Sequence, residues 1–177
     1  MARERARQVA LLRGVNVGGR RRVAMAALRS SFEEQGFTEV TTYIQSGNVV
    51  FRAAGKVDVE SVEAALAARF GAEISVVVRT GAQIDAVLAA NPFDGEDSKL
   101  VHVAFLARRP TRSEVGRLDL DGYDSERAVV RGAEIYYHLP NGMGRSRLPA
   151  HVDRRLGVPA TVRNLTTVAK LADLARG

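Results

Sequence analysis

With 177 residues, 46% of them hydrophobic and 26% charged, the chain can bury a core the size of one large domain or two small ones, and disorder is excluded. It has no cysteine, which removes disulfides, thiolate metal centres, iron–sulfur clusters and cysteine nucleophiles and favours a cytoplasmic setting. The net charge of +6 is lodged at the two ends: residues 1–22 sum to +6 and residues 144–177 to +5, whereas residues 23–143 sum to −5. Of the 26 basic residues 23 are arginine, the side chain suited to planar, bidentate anion recognition when it is not simply solvated. The longest apolar run is Val23–Leu28, far short of the roughly 20 residues of a membrane span.

Gln8–Arg13 reads as a short strand, followed by a loop over 14–22 rich in glycine and arginine. Met25, Leu28 and Phe32 then recur at helical spacing up to Gly36. Glu39–Gln45 is a β-branched strand, Ser46-Gly47-Asn48 a turn, and Val49–Arg52 the returning arm of a hairpin. Asp58 can cap a helix with Val59, Val62, Leu66 and Phe70 on its inner side, ended by Gly71. Glu73–Arg79 is the next strand, and Thr80-Gly81-Ala82-Gln83 is a capping box that opens another helix. The second half repeats this order. Leu100–Ala107 is a strand, and Thr111 to Glu114 is a capping box. Glu126–Arg131 and Glu134–Leu139 form a hairpin, a helix runs over Pro149–Leu156, Ala160–Arg163 is a strand, and Asn164 caps the last helix.

Each half therefore spells β-α-β-β-α-β-α. Val78-Arg79-Thr80 matches Val162-Arg163-Asn164 at an offset of 84, and Ile84 and Val87 then fall on Val168 and Leu171. The expected fold class is α+β: a tandem duplication of a ferredoxin-like (α/β plait) βαββαβ unit, each copy followed by a helix. The expected subdomains are residues 1–92 and 93–177, packed as one compact unit. Apolar residues on both faces of the first strand (Val9 and Leu11; Ala10 and Leu12) and of Leu100–Ala107 predict that the second sheet face is also covered, by the other half or by a partner chain.

That topology brings loops together in pairs. In the first half these are Arg13 to Arg20 and Gln45 to Asn48. In the second half they are Pro140 to Arg147 and Arg163 to Thr167. Free backbone N–H groups in glycine-rich turns, with arginine and amide side chains beside them, suit a phosphate or carboxylate. The candidate ligand-binding residues are Arg13, Asn16, Gly18, Gly19, Gln45, Ser46, Asn48, Arg145, Ser146, Arg163 and Asn164. The spacing of Gly14-Val15-Asn16-Val17-Gly18-Gly19 fits neither a Walker loop nor a dinucleotide fingerprint. Asp119 to Asp124 is only superficially like a calcium loop, because Gly122 and Val130 occupy the wrong positions, and it reads as a turn. His102 and His138 fall on strands as packed or rim histidines, and His151 on an exposed helix face. No metal site and no cofactor are indicated.

Ala10-Leu11-Leu12-Arg13-Gly14-Val15-Asn16-Val17-Gly18-Gly19 and Thr42-Tyr43-Ile44-Gln45-Ser46-Gly47-Asn48-Val49-Val50-Phe51 resemble the bacterial domain-of-unknown-function 1697 family. Gly144-Arg145-Ser146, Leu156 to Thr161 and Arg163-Asn164 are similar to the same family's C-terminal motifs. Where the family usually has Trp and Asn after Arg-Asn, this chain carries Leu165 and Thr166. The resemblance implies an α/β plait and brings no reaction with it. Three functions follow. The first is a binding module for an anionic ligand, a nucleotide-like small molecule or nucleic-acid phosphate, at the glycine- and arginine-rich loops. The second is an enzyme acting on a small anionic substrate in a cleft between the subdomains, for which the sequence shows no catalytic constellation. The third is a scaffold.

Overall fold

The computed structural model describes residues 7–18 and 22–177. It contains two four-stranded antiparallel sheets and six α-helices among those residues. The first sheet is built from β1 (Arg7–Leu12), β2 (Thr38–Tyr43), β3 (Asn48–Arg52) and β4 (Val76–Thr80), in the order β2-β3-β1-β4. Helices α1 (Met25–Glu34) and α2 (Val59–Phe70) are inserted after β1 and β3, and α3 (Gly81–Ala89) follows β4. The second sheet has β5 (Val101–Leu106), β6 (Arg127–Arg131), β7 (Glu134–His138) and β8 (Ala160–Asn164), in the order β6-β7-β5-β8. Its helices are α4 (Arg112–Gly116), α5 (Leu148–Leu156) and α6 (Leu165–Arg176). The two strand orders are the same when read within each sheet.

The chain divides into two compact units, Met1–Asp85 with Lys170–Gly177, and Ala86–Ala169. In the first unit, Ala10 and Leu12 of β1, with Val49 and Phe51 of β3, pack under Leu28 and Phe32 of α1 and Val62 and Leu66 of α2. Phe32, Phe37 and Phe51 form an aromatic knot with ring centroids 4.6 to 5.7 Å apart. Phe32 and Phe51 are fully buried, each contributing about 2 kcal/mol, and Phe37 is partly buried against them. The opposite face of β1, Val9 and Leu11, is equally closed to solvent. Residues 170–177 belong to this unit: the Arg7 guanidinium donates to the Leu174 carbonyl at 2.8 Å, and Arg176 pairs with Asp85. In the second unit, Ala104, Leu106, Ile135 and Tyr137 pack with Leu148, Val152 and Leu156 of α5. Val101, Val103 and Phe105 on the other face of β5 are also buried, and the Tyr136 hydroxyl on β7 donates to the Val87 carbonyl of α3 at 2.9 Å. Side chains on both faces of β1 and of β5 are thus buried.

Local chemistry sets the element ends where the sequence placed them. Asp58 accepts from Ser61 N–H at the start of α2, and Gly71 closes it at φ +66°. Thr80 and Gln83 bond reciprocally at the start of α3. At the corresponding place in the second unit, Asn164 Oδ1 accepts from Thr167 N–H at 2.9 Å. Two details differ from expectation. The strand expected from Glu73 begins only at Val76, because Ser75 C=O is taken by Arg13 N–H and Val76 N–H by the Glu63 carboxylate. His151 is half-buried rather than exposed, its ring 5.3 Å from that of Tyr123. No helix is long and apolar enough to cross a membrane among the described residues.

Candidate functional site

The candidate residues of the first unit gather at the sheet end where β1 exits and β2 turns into β3. Pairing of Leu11 and Tyr43 with Asn48 fixes that register. Leu12 N–H donates to Gly47 C=O at 2.9 Å, which ties the turn to the end of β1. Gly47 sits at φ +81°, and a Cβ there would collide with Val15 Cγ2 and come within 3.0 Å of Leu12 Cβ. Glycine is therefore required both for conformation and for space.

Asn16 locks the two loops together. Its Nδ2 donates to Val23 C=O at 2.9 Å and to Gln45 C=O at 2.8 Å, while its Oδ1 accepts from Val23 N–H at 2.9 Å. Its backbone is left-handed at φ +54°, a conformation that asparagine tolerates better than most residues. Asn48 is closed to solvent, and its Nδ2 donates to Tyr43 C=O at 2.9 Å and to Ser46 Oγ at 3.1 Å. Both carboxamides are thus committed inside the loops. The outward surface is made instead by Arg13, Gly18 and Gln45, all exposed, and by two apolar side chains, Val17 (64% exposed) and Ile44 (47% exposed). Ile44 is held at φ +49°. A β-branched residue in the left-handed region is strained. Gly19 lies outside the described residues.

In the second unit the candidate residues fall on either side of β5, since Arg145 and Ser146 follow β7 whereas Arg163 and Asn164 end β8. Arg145 is exposed, and Ser146 Oγ donates to Gly142 C=O at 2.8 Å, which tightens its own turn. Met143 beside them is 38% exposed. The Arg163 guanidinium is buried, donating to Thr161 Oγ1 at 2.9 Å and to Val162 C=O at 2.8 Å, and burial pulls its pKa down to about 10. The Asn164 side chain is the cap of α6 described above. Asn16 meets Gln45 across the two loops and Asn48 meets Ser46 within one of them, while Val17 and Ile44 are not among the residues the sequence singles out. The signal that could have found Ile44 is its place between a strand and a Gln-Ser-Gly turn, where an isoleucine has no core to enter.

No group of three or more histidine, aspartate or glutamate side chains is placed to hold a metal ion among the described residues. The His102 side chain is buried, and burial lowers its pKa against a weaker opposing bond to Leu100 C=O.

This loop pair and the twice-repeated strand order define an α+β protein whose candidate site is made from turns rather than from strand faces. The chain belongs to a family described as protein of unknown function (DUF1697), whose model matches residues 6–136. The matched span includes both loops of the first unit and stops before Arg145, Ser146, Arg163 and Asn164. Among solved structures, the chain is similar to conserved bacterial protein SP0830 from Streptococcus pneumoniae, with a TM-score of 0.76 and 24% identity over 98% of this chain and 100% of that one. That likeness is one of fold. Comparison with curated protein sequences gives no match.

Proposed function

We propose that the protein is a binding module for an anionic, nucleotide-like ligand, seated on the paired loops Arg13–Gly18 and Gln45–Asn48. The observation that carries this is Ile44: a strained, half-exposed isoleucine next to the Asn16–Gln45 bond, with Val17 exposed on the facing loop and Arg13 exposed at its base. Backbone strain of this kind costs about 1–3 kcal/mol and persists at sites where a side chain must be presented. Two apolar side chains suit the flat face of a base, and a guanidinium suits its phosphate. Gly18 and Ser46 supply further donors. Arg145 and Ser146 are proposed as a second anion contact of the other unit, with Arg163 and Asn164 supporting the strand end from which α6 starts. The shared strand order and the matching caps at Thr80 and Asn164 support a duplicated ferredoxin-like plait, with repeats 1–92 and 93–177.

Fluorescence anisotropy with a labelled nucleoside triphosphate and, separately, a labelled single-stranded oligonucleotide tests this reading. At least one probe is expected to bind, more weakly as salt rises. Arg13→Gln is expected to weaken that binding about tenfold. Absence of binding by both probes at low salt, or binding indifferent to Arg13→Gln, refutes it.

A further inference from the structure

The second unit has a pocket of 430 Å³ that the loop reading does not use, lined by Asp119, Asp121, Tyr123, Arg147, His151 and Arg154 with the backbone of Gly122. Its size lies within the range of small-molecule sites, roughly 300–1,000 Å³. His151 and Arg154 stand three apart on one face of α5, and Arg147, its N-cap residue, precedes His151 by four. The facing wall is the turn after α4, shaped by Asp121 N–H donating to Asp119 Oδ1 at 3.2 Å and by left-handed residues Gly122 (φ +79°) and Asp124 (φ +51°).

The charges in this pocket do not satisfy each other. Among the described residues, neither the Arg147 nor the Arg154 guanidinium has a hydrogen-bond or ion-pair partner, Asp119 and Asp121 included. Seven other arginines of the described residues hold carboxylates: Arg7, Arg29, Arg52, Arg69, Arg108, Arg127 and Arg176. The Glu126 carboxylate accepts from Arg147 N–H and Leu148 N–H at the start of α5. His151 Nε2 is sealed from solvent without a hydrogen-bond partner, its ring against Tyr123. An unsatisfied buried polar atom is an expense that native sites carry for a reason.

We infer that this pocket is a binding site for a small phosphorylated polyhydroxy compound. The two guanidiniums take the phosphoryl group, since both present planar forks that match its oxygens. The two aspartates on the opposite wall accept hydrogen bonds from hydroxyl groups, which a bare inorganic anion does not offer and which an anion-only site would not tolerate. The Tyr123 ring forms the apolar floor against which the carbon skeleton lies. This site stands on residues distinct from Arg13 and Ile44 and is independent of the loop reading.

Titration calorimetry of the full chain with ribose 5-phosphate tests it, with inorganic phosphate and unphosphorylated ribose as separate arms. Ribose 5-phosphate is expected to bind saturably and more tightly than either fragment, with chemical-shift changes at the ring protons of His151 and Tyr123. Arg147→Gln and Arg154→Gln are each expected to weaken it about tenfold. Asp121→Asn is expected to weaken ribose 5-phosphate while leaving phosphate binding unchanged. Arg13→Gln should leave all of this intact, which separates the pocket from the loop site. The inference is overturned by the absence of ribose 5-phosphate binding, by affinity kept within twofold in the folded Arg147→Gln/Arg154→Gln double variant, or by equal affinity for phosphate and ribose 5-phosphate.

Discussion

At the scale of single residues, Asn16 and Ile44 show how the first loop pair divides its labour. Asn16 is structural: three hydrogen bonds to Val23 and Gln45 consume its carboxamide. Asn16→Ala removes them, strands backbone groups of both loops and places a Cβ-bearing residue with no local hydrogen bond at φ +54°. A loss of about 2–3 kcal/mol is expected, read as a lower urea midpoint with an unchanged slope. Ile44 is the converse, held at φ +49° with its side chain 47% exposed. Ile44→Asn puts a residue tolerant of the left-handed region at φ +49° and removes apolar surface from the site. The melting temperature is expected to hold or rise while affinity for the nucleotide probe falls, a trade of stability against function. A fall in both would make Ile44 a packing residue. The sequence exposed the polar character of the Arg13–Gly18 loop but not the use to which Asn16 puts it. Whether an amide bonds a ligand or a neighbouring loop depends on the few ångströms between it and Gln45, and those are set by the register of β1 against β3.

At the scale of elements, most of the helix ends were legible because their chemistry is local. Asp58, Thr80, Thr111 and Asn164 cap the helices the sequence assigned to them, and Gly71 and Gly157 close theirs at φ +66°. What was not legible depends on partners distant in sequence. The start of β4 is set by Glu63 and Arg13, and the entry to α5 by Glu126, 22 residues before the Leu148 N–H that it accepts. The bulge in β2, which leaves Glu39 at φ +50° in ion pairs with Arg7 and Arg52, has no sequence signature at all. The Thr111 capping box makes a pH prediction. The Glu114 carboxylate bonds Arg108 and Thr111 N–H, and these contacts, the Arg108 bond first, lower its pKa from 4.5 to about 2. The folded form thus holds its proton less tightly than the unfolded chain. Its stabilisation is fully present above pH 4.5 and is lost as pH falls toward 2. Glu114→Gln is expected to flatten the part of the acid-unfolding curve between those values and to leave the curve near neutrality parallel to that of wild type. An unchanged acid limb would show that Glu114 is equally anionic in the unfolded chain.

At the scale of the whole molecule, sequence order and spatial order part company at the C-terminus. Residues 1–85 group with residues 170–177 in one compact unit, while residues 86–169 form the other. The repeat pattern of the sequence places α6 after the second copy of βαββαβ, and nothing in its amphipathic spacing announces that its last two turns serve the first unit. The contacts explain why they do. Leu171 and Ala172 are closed to solvent, a Cβ on Gly81 would lie 3.2 Å from that of Ala175, Arg7 bonds Leu174 C=O, and Arg176 joins Asp85. The ion pair is exposed and contributes little; the apolar contacts carry the effect. Leu171→Ala is therefore expected to cost about 2–5 kcal/mol, the ordinary range for a fully buried leucine, whereas Arg176→Ala should cost under about 1 kcal/mol. Removing residues 170–177 altogether withdraws Leu171, Ala172 and Ala175 together and leaves Arg7 without its Leu174 carbonyl. Amide hydrogen exchange then provides the reading by region: protection in β1 and β4 is expected to fall by orders of magnitude, with β5 and β7 keeping far more of theirs. Equal loss in both sheets would mean that the two units open as one cooperative block, and unchanged protection in β1 would mean that the first unit is stable without the end of α6.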